Sequence, residues 1–140
     1  PAARATARWL SAEMAAGFGA LRSECPMQLR HVWQGFAPSA PVLKDLDRIE
    51  TLFAHARKIS GHSTGPLFGD YCLADVFYTP VAARIIGFNL PVSESTRSYC
   101  MALLDDPAVR AWRALALQVQ YDPDPYPQDL AQLPWPGDAI

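Results

Sequence analysis

An all-α fold is predicted: a five-helix bundle carrying a Pro-rich, extended C-terminal tail. Apolar residues recur at three- and four-residue spacing in five stretches, and no stretch holds the two-residue alternation of a half-buried strand. After Tyr121 the periodicity stops. Pro123, Pro125, Pro127, Pro134 and Pro136 then exclude a helix and leave extended chain, polyproline II in parts. The expected division is a helical domain over 1–121 and a tail over 122–140. Tyr126, Leu130, Leu133 and Trp135 in that tail need burial, so it is expected to pack back on the domain or on a domain that this chain lacks.

The first helix is expected from Ala2 to about Arg22. Leu10, Met14, Phe18 and Leu21 lie on one of its faces, and Gly17 and Gly19 soften its second half. Pro41, suited to a first helical turn, opens a second run in which Val42, Leu46, Ile49, Phe53, Ala56 and Ile59 form the apolar stripe. Gly61 follows its last turn. Lys44, Asp45, Arg48, Glu50 and Arg57 fall elsewhere on that helix, and Asp45, Asp47 and Glu50 read as a solvated face. The third helix, about Leu73 to Gly87, is apolar through Leu73, Val76, Phe77, Val81, Ile85 and Ile86, too broadly for a surface helix, and is expected to be central. Pro80 within it lacks the N–H that would bond to Val76. The fourth, about Glu94 to Leu104, turns Tyr99, Cys100 and Leu103 inward. The fifth opens with the N-cap pair Asp106-Pro107 and is expected to bury Val109, Trp112, Leu115, Ala116 and Val119.

Composition narrows the function classes. A chain of 140 residues, half of them hydrophobic, buries roughly two-thirds of its unfolded surface, enough for one core. A net charge of -2 with 12 basic residues, and no run of them, argues against nucleic acid and anionic membrane as partners. Cys25, Cys72 and Cys100 are too few for a disulfide framework and lack CxxC spacing, which favours a cytoplasmic setting. No metal site is expected: Gly61 separates His55 from His62, and no HExxH, phosphate loop or Ser-His-Asp order is present. The start at Pro1, without Met and directly ahead of an amphipathic pattern, reads as a fragment of a longer polypeptide.

Tyr71-Cys72-Leu73-Ala74-Asp75-Val76, set after Gly65-Pro66-Leu67-Phe68-Gly69-Asp70, is the most informative segment. Asp75 lies three residues beyond Cys72, where its carboxylate can accept from the free N–H of the cap residue. Tyr71 and Val76 take the two places of a hydrophobic staple. This stretch resembles the loop and capping-box helix of the C-terminal, all-helical domain of bacterial glutathione transferase-like proteins. Ala12-Glu13-Met14 with Gly17-Phe18 and Leu21 to Met27 is similar to that domain's first helix, and Asp106-Pro107-Ala108-Val109-Arg110-Ala111-Trp112 to its closing helix. The resemblance spans about residues 2–120. It departs at the cap, where Cys72 stands in place of Ser or Thr; a thiol is a poor acceptor, so Asp75 carries more of the cap.

The resemblance implies a two-domain parent. Its N-terminal thioredoxin-like domain would bind glutathione, the co-substrate, and activate the sulfur. The helical domain would hold a small apolar electrophile and pair subunits in a homodimer. This chain has no strand pattern to host the thioredoxin-like half, so alone it is expected to be inactive and to hold no catalytic residue. Met14, Phe18 and Arg22, at i, i+4 and i+8 on the first helix, with Tyr78, are the candidate electrophile-site residues; the same stripe also reads as plain core. Cys72 at a helix N-terminus reads as structural more readily than reactive, because Asp70 and Asp75 repel a thiolate. His31 with Arg30 and Trp33 is a candidate anion-binding loop. Two other readings stand beside the enzyme: a non-catalytic binding or assembly module of the same fold, and a free-standing bundle for an apolar ligand.

Overall fold

In the computed structural model, residues 2–119, 121 and 128–137 are described. Among these described residues, six helices and one two-stranded ribbon follow in the order α1 (Ala2–Ala16), α2 (Gly19–Glu24), β1 (His31–Gln34), α3 (Ala40–Ser60), α4 (Leu73–Gly87), α5 (Glu94–Leu104), α6 (Pro107–Ala116) and β2 (Ala131–Pro134). The fold is mostly helical, as the periodicity implies. It departs from the expectation in having one more helix and a ribbon where no strand was anticipated.

The extra helix arises at Gly17-Phe18. Phe18 adopts the left-handed conformation, φ 58° and ψ 45°, which stops α1 and restarts the chain as α2. A Cβ on Gly17 would lie 2.7 Å from the Glu13 carbonyl oxygen, so only glycine lets the chain turn this tightly. The expected single helix to Arg22 is therefore two. The turn keeps Leu10, Met14, Phe18 and Leu21 in one buried cluster.

Local signals set the other helix ends. Ser39 caps α3 by accepting from the Val42 N–H at 3.3 Å, Pro41 lies in its first turn, and Gly61, φ 77°, ends it. Asp106 caps α6 through the Ala108 N–H at 2.9 Å. Helix α4 closes with Asn89 left-handed at φ 48°. The Leu90 N–H bonds to the Ile85 carbonyl at 2.9 Å and the Asn89 N–H to that of Ile86 at 3.1 Å, a Schellman turn.

Helix α4 is central: it packs on α1, α5 and β1. The Tyr78 hydroxyl donates to the Leu10 carbonyl at 3.3 Å, and the Phe53 ring meets Tyr78 and Tyr99 edge-on at 4.9 and 5.0 Å. Each fully buried large apolar side chain here contributes about 1.5–3 kcal/mol. The ribbon is antiparallel, with His31 opposite Pro134, Val32 opposite Leu133, Trp33 opposite Gln132 and Gln34 opposite Ala131. Beyond β2, Trp135 is buried against Gly87 of α4 and the Arg113 guanidinium. Tyr126 and the prolines at 123, 125 and 127 lie outside the described residues.

Several expected core positions face outward. Trp112, Leu115 and Val119 are exposed; of the expected stripe only Val109 is buried and Ala116 half-buried. Helix α6 touches α5 through a narrow contact, which leaves the rest of its stripe uncovered. Ile59, in the last turn of α3, is exposed as well. Leu73, Val76 and Phe77 are likewise outside: in the first two turns of α4 only Ala74, Asp75, Tyr78 and Thr79 are covered.

Candidate functional site

Asp75 is the centre of the segment that the sequence singles out. Its side chain is 0% exposed and accepts three hydrogen bonds. Oδ2 takes the Cys72 N–H at 2.9 Å; Oδ1 takes the Leu67 N–H at 3.2 Å and the Tyr99 hydroxyl at 2.8 Å. The carboxylate thus closes the capping box of α4, pins the preceding loop and ties α4 to α5. The loop is shaped for this. The Arg57 guanidinium donates to the Gly65 carbonyl at 2.8 Å, the Ser60 hydroxyl to that of Leu67 at 2.8 Å, and Gly65 and Gly69 take φ of 68° and 91°. A Cβ on Gly69 would sit 2.7 Å from the His62 ring, so the loop closes on itself there.

Cys72 supplies the weaker half of the box, its sulfur facing the Asp75 N–H. Burial, with the Asp75 charge beside it, pushes the thiol up, so it stays protonated at neutral pH. Cys25 and Cys100 are pushed up to about 12 by burial. The Tyr78 and Tyr99 hydroxyls are raised for the same reason, with the Asp75 charge adding to the effect on Tyr99. Cys72→Ser replaces a poor acceptor with a good one in a helical cap. It is expected to stabilise the chain by about 0.5–1 kcal/mol, read as a higher urea midpoint with an unchanged slope.

The four residues predicted to line an electrophile site divide between core and surface. Met14, Phe18 and Tyr78 are buried core residues, and Arg22 is exposed with its guanidinium donating to the Ala15 carbonyl at 3.0 Å. The segment read as an anion-binding loop is β1. Trp33 is buried there, His31 meets its ring edge-on at 4.2 Å, and the Gln28 side chain accepts from the N–H groups of Arg30 and His31. His55 packs on Trp9 at 5.4 Å, and His62 lies beside the Ser60 carbonyl. Among the described residues no group of three His, Cys, Asp or Glu side chains is arranged to hold a metal ion, and no helix is long and apolar enough to cross a membrane.

The solvated face expected on α3 holds at Asp47, which is exposed, and is revised at Asp45 and Glu50. Asp45 accepts the Leu21 N–H at 3.0 Å and so caps α2 from another helix, while Glu50 accepts the Ser93 N–H at 2.8 Å at the start of α5. No local pattern announces either bond, because each partner lies more than twenty residues away. Burial pushes the Glu50 carboxyl up, but the Ser93 hydroxyl and N–H, with Thr96, outweigh it and hold it below the ordinary 4.5. A depressed carboxyl stabilises above its unfolded value and loses that contribution as the pH falls through the lower folded value. Stability is therefore expected to decline below pH 4.5, and Glu50→Gln is expected to make that decline shallower in urea titrations at stepped pH.

Among the described residues, an exposed apolar face and two clefts are places where another molecule could bind. Tyr71, Leu73, Val76 and Phe77 form an exposed apolar face at the start of α4, with Leu73 71% exposed. A cleft of about 210 Å³ lies between α3 and α5, and one of about 590 Å³ lies between α5, α6 and residues 135–137. None of Met14, Phe18, Arg22 and Tyr78 lines either cleft. No family model matches the chain, and no curated protein matches it.

Proposed function

We propose that this chain is the helical half of a glutathione transferase-like protein, in which it presents a small apolar electrophile to glutathione held by a thioredoxin-like domain of the same polypeptide. The observation that carries this reading is the capping box of α4. A buried Asp75, following Ala74 at the start of a central helix, fastens the preceding loop and α5 to that helix at the place where the sequence resembles the family. The exposed apolar face of Tyr71, Leu73, Val76 and Phe77 supports it further, since that much uncovered apolar surface beside an ordered loop suits contact with another body. In this reading the parent is a cytoplasmic homodimer, and this chain alone has no turnover because the group that activates the glutathione sulfur belongs to the thioredoxin-like domain.

The test is made on the native polypeptide, isolated from its source cell with an antibody raised to this chain. The expected result is a mass larger by one domain and conjugation of glutathione to 1-chloro-2,4-dinitrobenzene or reduction of a hydroperoxide. A larger polypeptide inactive in both assays would shift the assignment to a non-catalytic assembly module. A native mass equal to that of this chain would remove the glutathione site and leave a stand-alone binding bundle.

A further inference from the structure

We propose that the smaller cleft, between α3 and α5, binds an extended ω-amino carboxylate, with the ammonium at Glu50 and the carboxylate at Arg57. This inference is independent of the glutathione reading, none of whose candidate residues lines the cleft. The space is about 210 Å³, room for a small molecule. Phe53, Ala54 and Tyr99 give it an apolar wall. Glu50 and Arg57 stand at its two ends, two turns apart on α3, or about 10 Å along the helix axis.

Each charge has capacity left for a ligand. Glu50 takes the Ser93 N–H, at 2.8 Å, and the Ser93 hydroxyl on one oxygen, Oε1. A carboxylate has about four acceptor sites, so room remains for a further donor even with Thr96 beside it. The carboxyl is ionised at neutral pH. The Arg57 guanidinium donates through its terminal nitrogens to two neutral acceptors, the carbonyls of His62 at 3.3 Å and Gly65 at 2.8 Å, and lies over the Tyr99 ring at 5.5 Å. Among the described residues no carboxylate pairs with it, and its Nε is left to donate. Arg57 is thus held in position without being neutralised. At about 10 Å, a Debye length, the two charges are largely screened from each other, so neither satisfies the other. A ligand charged at both ends meets both, and its methylene chain covers the apolar wall. A ligand charged at one end sets an apolar end against the second ion, which then loses water without gaining a partner.

The probe is ε-aminocaproate, with hexanoate and hexylamine as its single-charge counterparts. In proton–nitrogen NMR spectra of the chain, ε-aminocaproate is expected to shift the Arg57 Nε–H and the amides of Ala54, Ser95 and Thr96 saturably, with each counterpart about fivefold weaker, the upper range for one exposed ion pair. Ala54→Trp, at an exposed helical position, is expected to fill the cleft and abolish these shifts while the amides of Tyr78 to Ile85 stay in place. Glu50→Gln is expected to reduce ε-aminocaproate binding to the level of hexanoate and to leave hexanoate itself no weaker. Equal binding of ε-aminocaproate and either counterpart would overturn the proposal, as would the absence of saturable shifts, shifts confined to residues outside the cleft, or an Ala54→Trp chain that binds ε-aminocaproate unchanged.

Discussion

Asp75→Ala is expected to lower the unfolding free energy by about 3–5 kcal/mol, a fifth or more of the roughly 5–15 kcal/mol typical of a domain. The substitution removes the acceptor of three donors at once. Two of them, the Leu67 N–H and the Tyr99 hydroxyl, make buried bonds. A hydrogen bond to a charged acceptor contributes about 1.5–3 kcal/mol, and a stranded buried donor costs about 1–3 kcal/mol. The Cys72 N–H is half-buried and regains water, which holds the sum below three full penalties. Tyr99→Phe removes one donor and leaves the other two in place, so about 1–2 kcal/mol is expected. Asp75→Asn should fall between, because the amide keeps one acceptor oxygen but turns an NH₂ group toward a donor. Urea denaturation of the three variants and of Asp75→Ala/Tyr99→Phe tests the network: the double variant should lose less than the sum of the two singles. A loss under about 1 kcal/mol for Asp75→Ala would mean that water enters the site and that the loop, α4 and α5 are not tied through this carboxylate.

Asp75 also shows what a sequence discloses and what it withholds. Its bond to the Cys72 N–H spans three residues and follows from helix geometry alone. Its bonds to Leu67 and Tyr99 depend on where a loop and another helix come to rest, and no spacing rule reports them. The same division runs through the fold. The start of α3 at Ser39 to Pro41, its end at Gly61, the start of α6 at Asp106-Pro107 and the span of α4 are local signals, and the structure follows them. The break at Phe18 was hidden because a left-handed Phe is rare, and the glycines around it read as weak points of one helix. The ribbon was hidden because each strand is four residues long, one ends in proline, and they pair across about a hundred residues. Periodicity on α6 correctly marks an apolar stripe through Val109, Trp112 and Leu115, but not whether a partner covers it. The same ambiguity affects Met14, Phe18 and Tyr78. A stripe at helical spacing has one signature whether it lines a pocket or fills a core, and here it fills the core. Arg113 gave no signal, because its setting involves Trp135, which returns from the far end of the chain.

Trp135→Ala is expected to be the second large effect, about 3 kcal/mol, in the lower range for truncating a buried aromatic side chain. Trp135 is 6% exposed although it follows a strand whose four residues all face solvent. It is therefore the anchor that gives that strand a reason to stay. Its ring packs beside Gly87, where the absence of a side chain admits it: a Cβ there would lie 3.8 Å from the ring and 3.3 Å from the Gln28 amide. The Arg113 guanidinium covers another part of the ring. Among the described residues the ribbon has two strands, and a lone two-stranded ribbon is at best marginally stable in water. Removing the ring should free β2 and leave the backbone groups of β1 to water. Hydrogen exchange separates a local from a global effect. If β2 opens as its own unit, the amides of β1 and β2 lose protection while those of Tyr78 to Ile85 keep theirs, and the urea midpoint moves little. If Trp135 is integral to the core, protection falls together across α4 and the ribbon. The second outcome is expected, because the ring packs at the C-terminal end of the central helix beside Gly87, next to the buried Ile85, Ile86 and Phe88. Trp135→Phe should recover about half of the loss, since it keeps an aromatic face for Arg113 but fills less of the space beside Gly87.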